Sequence, residues 1–300
     1  MEASLQVLMN GLIDYAGLFP PASLDMGAAV RNFAAYRKGP HSAWLGRFVL
    51  PASRLGEFAN ANARLPQPPG SEGMPWRLSV LIRSDLPGDF KNAADFNKVG
   101  PSLGQPAIVD TLEMKADRPE AILQALEALP PGIMPYFEIP IQEDPAPLLA
   151  AMARAGGRAK IRTGGVTPAQ FPAPEVLARF LIACAAAGVP FKATAGLHHP
   201  LRALRRLTDA PESPTAVMHG FLNLFLAAAF ARDGMDAETL VALLREESPR
   251  AFSFRGEGAS WRGHKLAGSG LLETRRDFAI AFGSCSFEDP ELDLGMAGWL

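Results

Sequence analysis

Ala159-Lys160-Ile161-Arg162-Thr163-Gly164-Gly165 and Phe191-Lys192-Ala193-Thr194-Ala195-Gly196-Leu197-His198-His199 decide how this chain is read. Each stretch sets one lysine inside an apolar, strand-like run and follows it with Thr and Gly. Desolvating an ammonium ion is costly unless the group is paired or loses its proton. The placement therefore needs a reason. Lys192 follows Lys160 by 32 residues, and residues 174–187 between them read as a helix. Strand, helix and strand in that order make one βαβ step, with parallel strands and a right-handed crossover. Neighbouring strands lie about 4.8 Å apart, which sets the two ammonium groups on the order of 6 Å apart. At an effective dielectric of roughly 20 they repel by about 3 kcal/mol, about two pKa units. One lysine is then expected near neutrality at pH 7, the form that Schiff-base chemistry on a carbonyl requires. The alternative is a buried ion network among Glu113, Lys115, Glu138, Lys160, Arg162 and Lys192, in which a salt-bridged lysine keeps its charge.

Outward from this unit the same alternation continues. Residues 12–15, 45–50, 77–82, 107–115 and 134–139 read as strands, and 25–38, 54–65, 119–129 and 145–155 as helices, with Ser23 a candidate cap for the first. Residues 67–73 read as a surface loop. Strands alternating with amphipathic helices imply a parallel sheet covered by helices, and eight units imply a closed (β/α)8 barrel, the TIM-barrel form of α/β protein. The eighth strand has two candidates, 217–219 and 278–282. Between them lie a second helix, 237–246, and a β-hairpin of Phe252-Ser253-Phe254 with Trp261-Arg262-Gly263-His264, joined through Gly256-Glu257-Gly258. The reading is one domain over 1–300, with 201–276 as an insertion or lid before the last strand.

With 48% hydrophobic residues, the 300-residue chain can bury a large core. Its formal charge of −2 carries no footprint for nucleic acid, so no such partner is expected. The two cysteines, Cys184 and Cys285, suggest neither a disulfide framework nor a zinc site. No signal peptide is readable at the N-terminus, and the longest apolar stretch, 220–231, is too short to span a bilayer. A cytoplasmic protein without membrane contact is expected. Self-association is left open, with the stripe Phe221, Leu224, Phe225 and Ala228 read as helix core or a subunit contact.

The ordered series of motifs resembles deoxyribose-phosphate aldolase and its class I aldolase relatives. Ile13-Asp14-Tyr15 with Leu18-Phe19-Pro20 resembles that family's Ile-Asp-His with its downstream Leu-Lys-Pro, Phe48-Val49-Leu50-Pro51 its second strand, and Val109-Asp110 the fourth-strand Asp. Lys160 with Thr163 and Gly164 is similar to Lys-Thr-Ser-Thr-Gly, Lys192 with Ala195 and Gly196 to Lys-x-x-Gly-Gly, and Gly283-Ser284-Cys285-Ser286 to Gly-x-Ser-Ser. The resemblance implies a (β/α)8 barrel, Lys160 as Schiff-base nucleophile, Lys192 lowering its pKa, and Asp110 relaying protons through a bound water. It implies no cofactor and no metal. Substrate contacts are expected from Asp14, Glu138, Arg162, Thr163, Gly164, Gly196, His198, His199, Ser284 and Ser286.

The chain departs from that pattern in places. Gly165 stands where the family's phosphate grip has a lysine, Cys285 replaces one last-strand serine, and Arg162 occupies a position of small residues. A guanidinium there can clamp a carboxylate through two parallel hydrogen bonds. The runner-up is therefore a lyase, decarboxylase or isomerase of a carboxylate substrate, using Arg162, His198, His199 and His219. A metal-assisted version would draw on those histidines with Asp14, Glu113 or Glu138, although no spacing of metal-binding kind supports it. A further reading is a barrel that binds a ligand without chemistry. Lys160 tied to a carboxylate favours that reading, whereas an open pocket with Lys160 near Lys192 and Asp110 favours the aldolase.

Overall fold

The computed structural model describes residues 1–66, 74–83, 85–208, 210–256 and 258–300. The loop expected at 67–73 and the turn residue Glu257 lie outside them. Eight parallel strands close into a barrel: β1 (Ile13–Tyr15), β2 (Leu45–Pro51), β3 (Trp76–Leu81), β4 (Ala107–Lys115), β5 (Met134–Glu138), β6 (Arg158–Arg162), β7 (Phe191–Thr194) and, last in sequence, β13 (Ala279–Ser284). Closure runs through β1, which pairs with β2 on one side and with β13 on the other, Asp14 facing Gly283. The fold is thus the (β/α)8 barrel. Lys160 and Lys192 are register partners on adjacent parallel strands.

The helices are α1 (Ala3–Met9), α2 (Met26–Tyr36), α3 (Leu55–Ala63), α4 (Leu86–Val99), α5 (Pro119–Glu127), α6 (Ala146–Ala155), α7 (Pro174–Ala187), α8 (Phe221–Arg232), α9 (Ala237–Leu244), α10 (Gly268–Asp277) and α11 (Glu288–Met296). Helix α2 is capped by Asp25, whose carboxylate accepts the Ala28 amide at 2.7 Å. Ser23 is not the cap. It sits at φ 45°, in the turn that brings the chain to Asp25.

Of the two candidates for the last strand, β9 (Thr215–Met218) pairs instead with β8 (Ala203–Arg206) in an antiparallel ribbon beside the barrel. The expected hairpin is a three-stranded sheet of β10 (Phe252–Arg255), β11 (Gly258–Trp261) and β12 (His264–Ala267). Arg262 and Gly263, read as strand, both take positive φ and form its second turn. Within 201–276, α8 is part of the barrel wall. It is apolar on every side, buried from Phe221 to Phe230, and stacks Phe221 on Phe282 of β13. Among the described residues, no helix is long and apolar enough to cross a membrane.

A candidate active site at the barrel mouth

The barrel lumen holds charge rather than an all-apolar filling. Lys192 on β7 reaches Asp14 on β1 and Glu113 on β4, each at 2.5 Å. Those strands are not its neighbours in the barrel, so both contacts cross the interior. Glu113 turns its other oxygen to Lys160 at 2.8 Å, and Lys160 also meets Glu138 at 2.9 Å. Arg162 Nε then donates to the remaining Glu138 oxygen at 3.2 Å. The result is one chain of alternating charge: Asp14, Lys192, Glu113, Lys160, Glu138, Arg162.

The electrostatics follow from this order. Burial would raise the Glu113 carboxyl, but the two ammonium groups beside it outweigh that effect and hold it well below the usual carboxylate range. Burial would likewise lower Lys192, and Asp14 and Glu113 instead push it up. Glu138 is also held down, Lys160 and Arg162 overcoming its burial. The expected repulsion between the lysines is therefore answered by a carboxylate set between them. Of the expected network, Glu113, Glu138, Lys160, Arg162 and Lys192 come together, with Asp14 added at one end, and Lys115 stands outside it. Geometry puts the network's upper members at the floor of a cavity of about 800 Å³, lined in part by Glu113, Glu138, Lys160, Arg162, Lys192 and Thr194. Strands β3 to β7 and β13 open into it by their C-terminal ends, the face on which such barrels build active sites.

The expected site residues divide into groups. Lys160, Lys192, Glu138, Arg162, Gly196 and His198 line the cavity. Asp14 lies behind Lys192, its other oxygen accepting the Arg47 amide at 2.7 Å. Thr163 donates its hydroxyl to the Ala195 carbonyl at 2.6 Å, tying the end of β6 to the loop after β7. Gly164 and Gly196 form a seat for the Phe171 ring: a Cβ on either would approach it within 2.7 Å. His199 pairs with Asp293 of α11 at 2.5 Å. Ser284 lies 3.3 Å from Nδ1 of His198, and Ser286 accepts the Asp289 amide at the start of α11. Burial holds the His198 imidazole down to about 4, so it is neutral at pH 7.

Asp110 is not brought to this site. Its carboxylate is held by Arg47 at 2.6 Å and by Arg77 at 2.5 Å, near the N-terminal ends of β2 and β3. It lies three residues before Glu113 on β4, about 10 Å nearer the opposite end of the barrel. The β4 carboxylate between the lysines is Glu113, which the sequence points to as a member of a charged network and not as a substrate contact. Phe171, Thr194, Lys115 and Arg83 also line the cavity, and none is among the substrate contacts expected from the sequence. Among the described residues, no three His, Cys, Asp or Glu side chains come together to hold a metal ion. His219 donates Nε2 to the Pro172 carbonyl at 2.7 Å. No family model and no curated protein matches this chain.

Proposed function

We propose that the protein is a lyase or isomerase that works on the carbon next to a carbonyl group, with Lys160 meeting the carbonyl and Glu138 moving the proton. The observation that carries this reading is that Lys160, although tied to Glu113 and Glu138 as a barrel without chemistry would tie it, still lines the cavity beside Glu138. As an ammonium in a water-poor site, Lys160 donates to a carbonyl oxygen and stabilises the negative charge that develops there when the neighbouring carbon loses a proton or a bond. Glu138 is ionised at neutral pH and faces the same cavity, so it is placed to take that proton and return it. Lys192, fixed between Asp14 and Glu113, keeps the lower half of the network in place.

A second reading is the Schiff-base aldolase. The register pairing of Lys160 with Lys192 and the opening of Lys160 onto the cavity favour it. The amine then becomes a nucleophile only after passing a proton to Glu113 or Glu138. Glu113 is the weaker acceptor because two ammonium groups stabilise its charge.

One experiment separates the two. Small aldehydes, ketones and 2-oxo acids are incubated with the protein in D2O, following exchange at the carbon next to the carbonyl by NMR, with borohydride added to parallel samples. Exchange that disappears in Lys160→Met and in Glu138→Gln, without a borohydride adduct, is the expected result. An adduct mapped to Lys160 moves the reading to the aldolase. Neither exchange nor adduct, with the protein folded, leaves only ligand binding.

A further inference from the structure

The deep network is electrically balanced. Asp14, Glu113 and Glu138 supply three negative charges, and Lys160, Lys192 and Arg162 three positive ones. Two more cations line the same cavity, Arg83 just beyond β3 and Lys115 at the end of β4, and among the described residues neither side chain makes an ion pair. The whole chain carries a formal −2, so this local surplus is not a by-product of a basic protein.

The surplus also lies on one side. Around the barrel the order is β3, β4, β5, β6, so Arg83, Lys115 and Arg162 edge one half of the mouth. The other half, on β7, β13, the loop after β1 and the ribbon strand β9, presents Ala16, Phe19, Pro20, Ala195, Met218 and Cys285, with the neutral His198 among them. Lys115 and Arg162 line, in addition, an adjoining cavity of about 930 Å³. There the acidic side chains are Glu138, already paired with Lys160 and Arg162, and Asp117, with Arg118 3.7 Å away. Arg83 and Lys115 are both exposed, so water meets their charge, and what they offer an acidic group is an unbalanced positive field at the rim of the cavity.

We infer that the substrate carries an acidic oxygen group, carboxylate or phosphate, held by Arg83 and Lys115 on the β3–β4 side of the mouth, with its less polar end against β7 and β13. The inference rests on the reading above for what happens over Lys160, and its acid-binding half is tested without that chemistry. Arg162 is the link between the two halves. An acidic group close to it competes with Glu138 for the guanidinium, so binding at the rim loosens one partner of the carboxylate assigned to proton transfer.

The test is calorimetric titration of the full chain with matched pairs. One arm sets succinate and glutarate against their diamides, and the other sets glycerol 3-phosphate against glycerol. Saturable binding of an acidic member and none of its neutral counterpart is expected, and the arm in which it occurs names the acidic group. The Arg83→Met/Lys115→Met double variant should weaken that binding about tenfold or more. Arg154→Met, which removes one exposed charge from α6 outside the cavity, should leave it unchanged. Three outcomes overturn the inference: no saturable binding in either arm, equal binding of the neutral members, or unchanged binding by the folded double variant. The D2O and borohydride experiments report on Lys160 separately. Acid binding without exchange or trapping would sink the lysine chemistry and leave the acidic-group assignment standing.

Discussion

Glu113 is the residue on which the site turns, because it alone bonds both lysines. Glu113→Gln would leave two buried ammonium groups sharing one neutral amide, each with a single remaining carboxylate. The expected loss is about 3–5 kcal/mol in urea unfolding, with part of it regained when Lys160→Met is added, since the two sites are directly coupled. The pH dependence of this network has a defined sign. Glu113 is depressed in the folded state, so its contribution is present above the ordinary glutamate pKa and is lost as pH falls through the folded value. Lys192 is raised, so its contribution is full below the ordinary lysine pKa and is lost as pH rises through the folded value. Between about pH 5 and pH 10 the contributions of Glu113 and Lys192 are therefore flat. His198 is not. Its pKa is held down to about 4, so stability should fall as pH drops from about 6.5 towards 4, by on the order of 3 kcal/mol. Urea unfolding at pH 7 and pH 4.5, with His198→Gln removing its share of the difference and leaving that of His219, which burial also holds down, checks this, and an NMR titration midpoint near 6.5 for His198 would refute it.

The elements that shape the mouth on the β6–β7 side are two loops that lean on each other. Gly164 follows β6 and Gly196 follows β7, and Phe171 lies over both. At Gly196 the φ of 72° adds a backbone cost to any side chain, and Ala195 before it already takes φ 64°. Gly196→Ala is expected to cost about 2–3 kcal/mol, and Phe171→Ala in the same chain should recover only the share owed to the ring, leaving about 1 kcal/mol or more from the positive φ and from the Gly164 Cα 2.9 Å away. A double-variant cycle in urea gives both terms. Much of this element was legible in the sequence. A lysine within an apolar run, a helix of the right length and a second such lysine fix a βαβ step, and the parallel step fixes the pairing of Lys160 with Lys192. The β4 carboxylate was not legible, for a physical reason. Asp110 and Glu113 are an odd number of residues apart, so strict alternation sends only one of them into the lumen. The pairing of β3 with β4 skips at this point, from Leu78↔Val109 to Ser79↔Thr111, and leaves Asp110 as the extra residue. That irregularity turns both carboxylates inward, one at each end, and no spacing in the sequence announces it.

At the scale of the whole molecule the barrel has two charged ends with different work to do. The glycine seat and the rim cations could be named from the sequence only as residue types, because which strand ends share a cavity depends on the closed order β1-β13-β7-β6-β5-β4-β3-β2 and on where each strand stops. The opposite end opens onto no cavity among those that surround the lysines. There Arg47 and Arg77 share Asp110, and Arg275 of α10 donates to the backbone carbonyls of Leu8, Asn10, Ala279 and Ile280, joining the segment before β1 to the start of β13. Burial without a carboxylate partner pulls the Arg275 guanidinium down to about 10, still charged at pH 7. This end closes the barrel. Asp110→Asn would leave two guanidinium groups with a neutral partner and should cost about 2 kcal/mol, and Arg275→Met would strip a buried donor from four carbonyls and should cost about 3 kcal/mol or more. Neither should change the affinity for the acidic compound that binds at Arg83 and Lys115, nor the exchange seen over Lys160. If Asp110→Asn abolished exchange while the protein remained folded and still bound the acidic compound, Asp110 would have to act on the mouth through the lumen, and Glu113 would lose its place as the β4 carboxylate of the site.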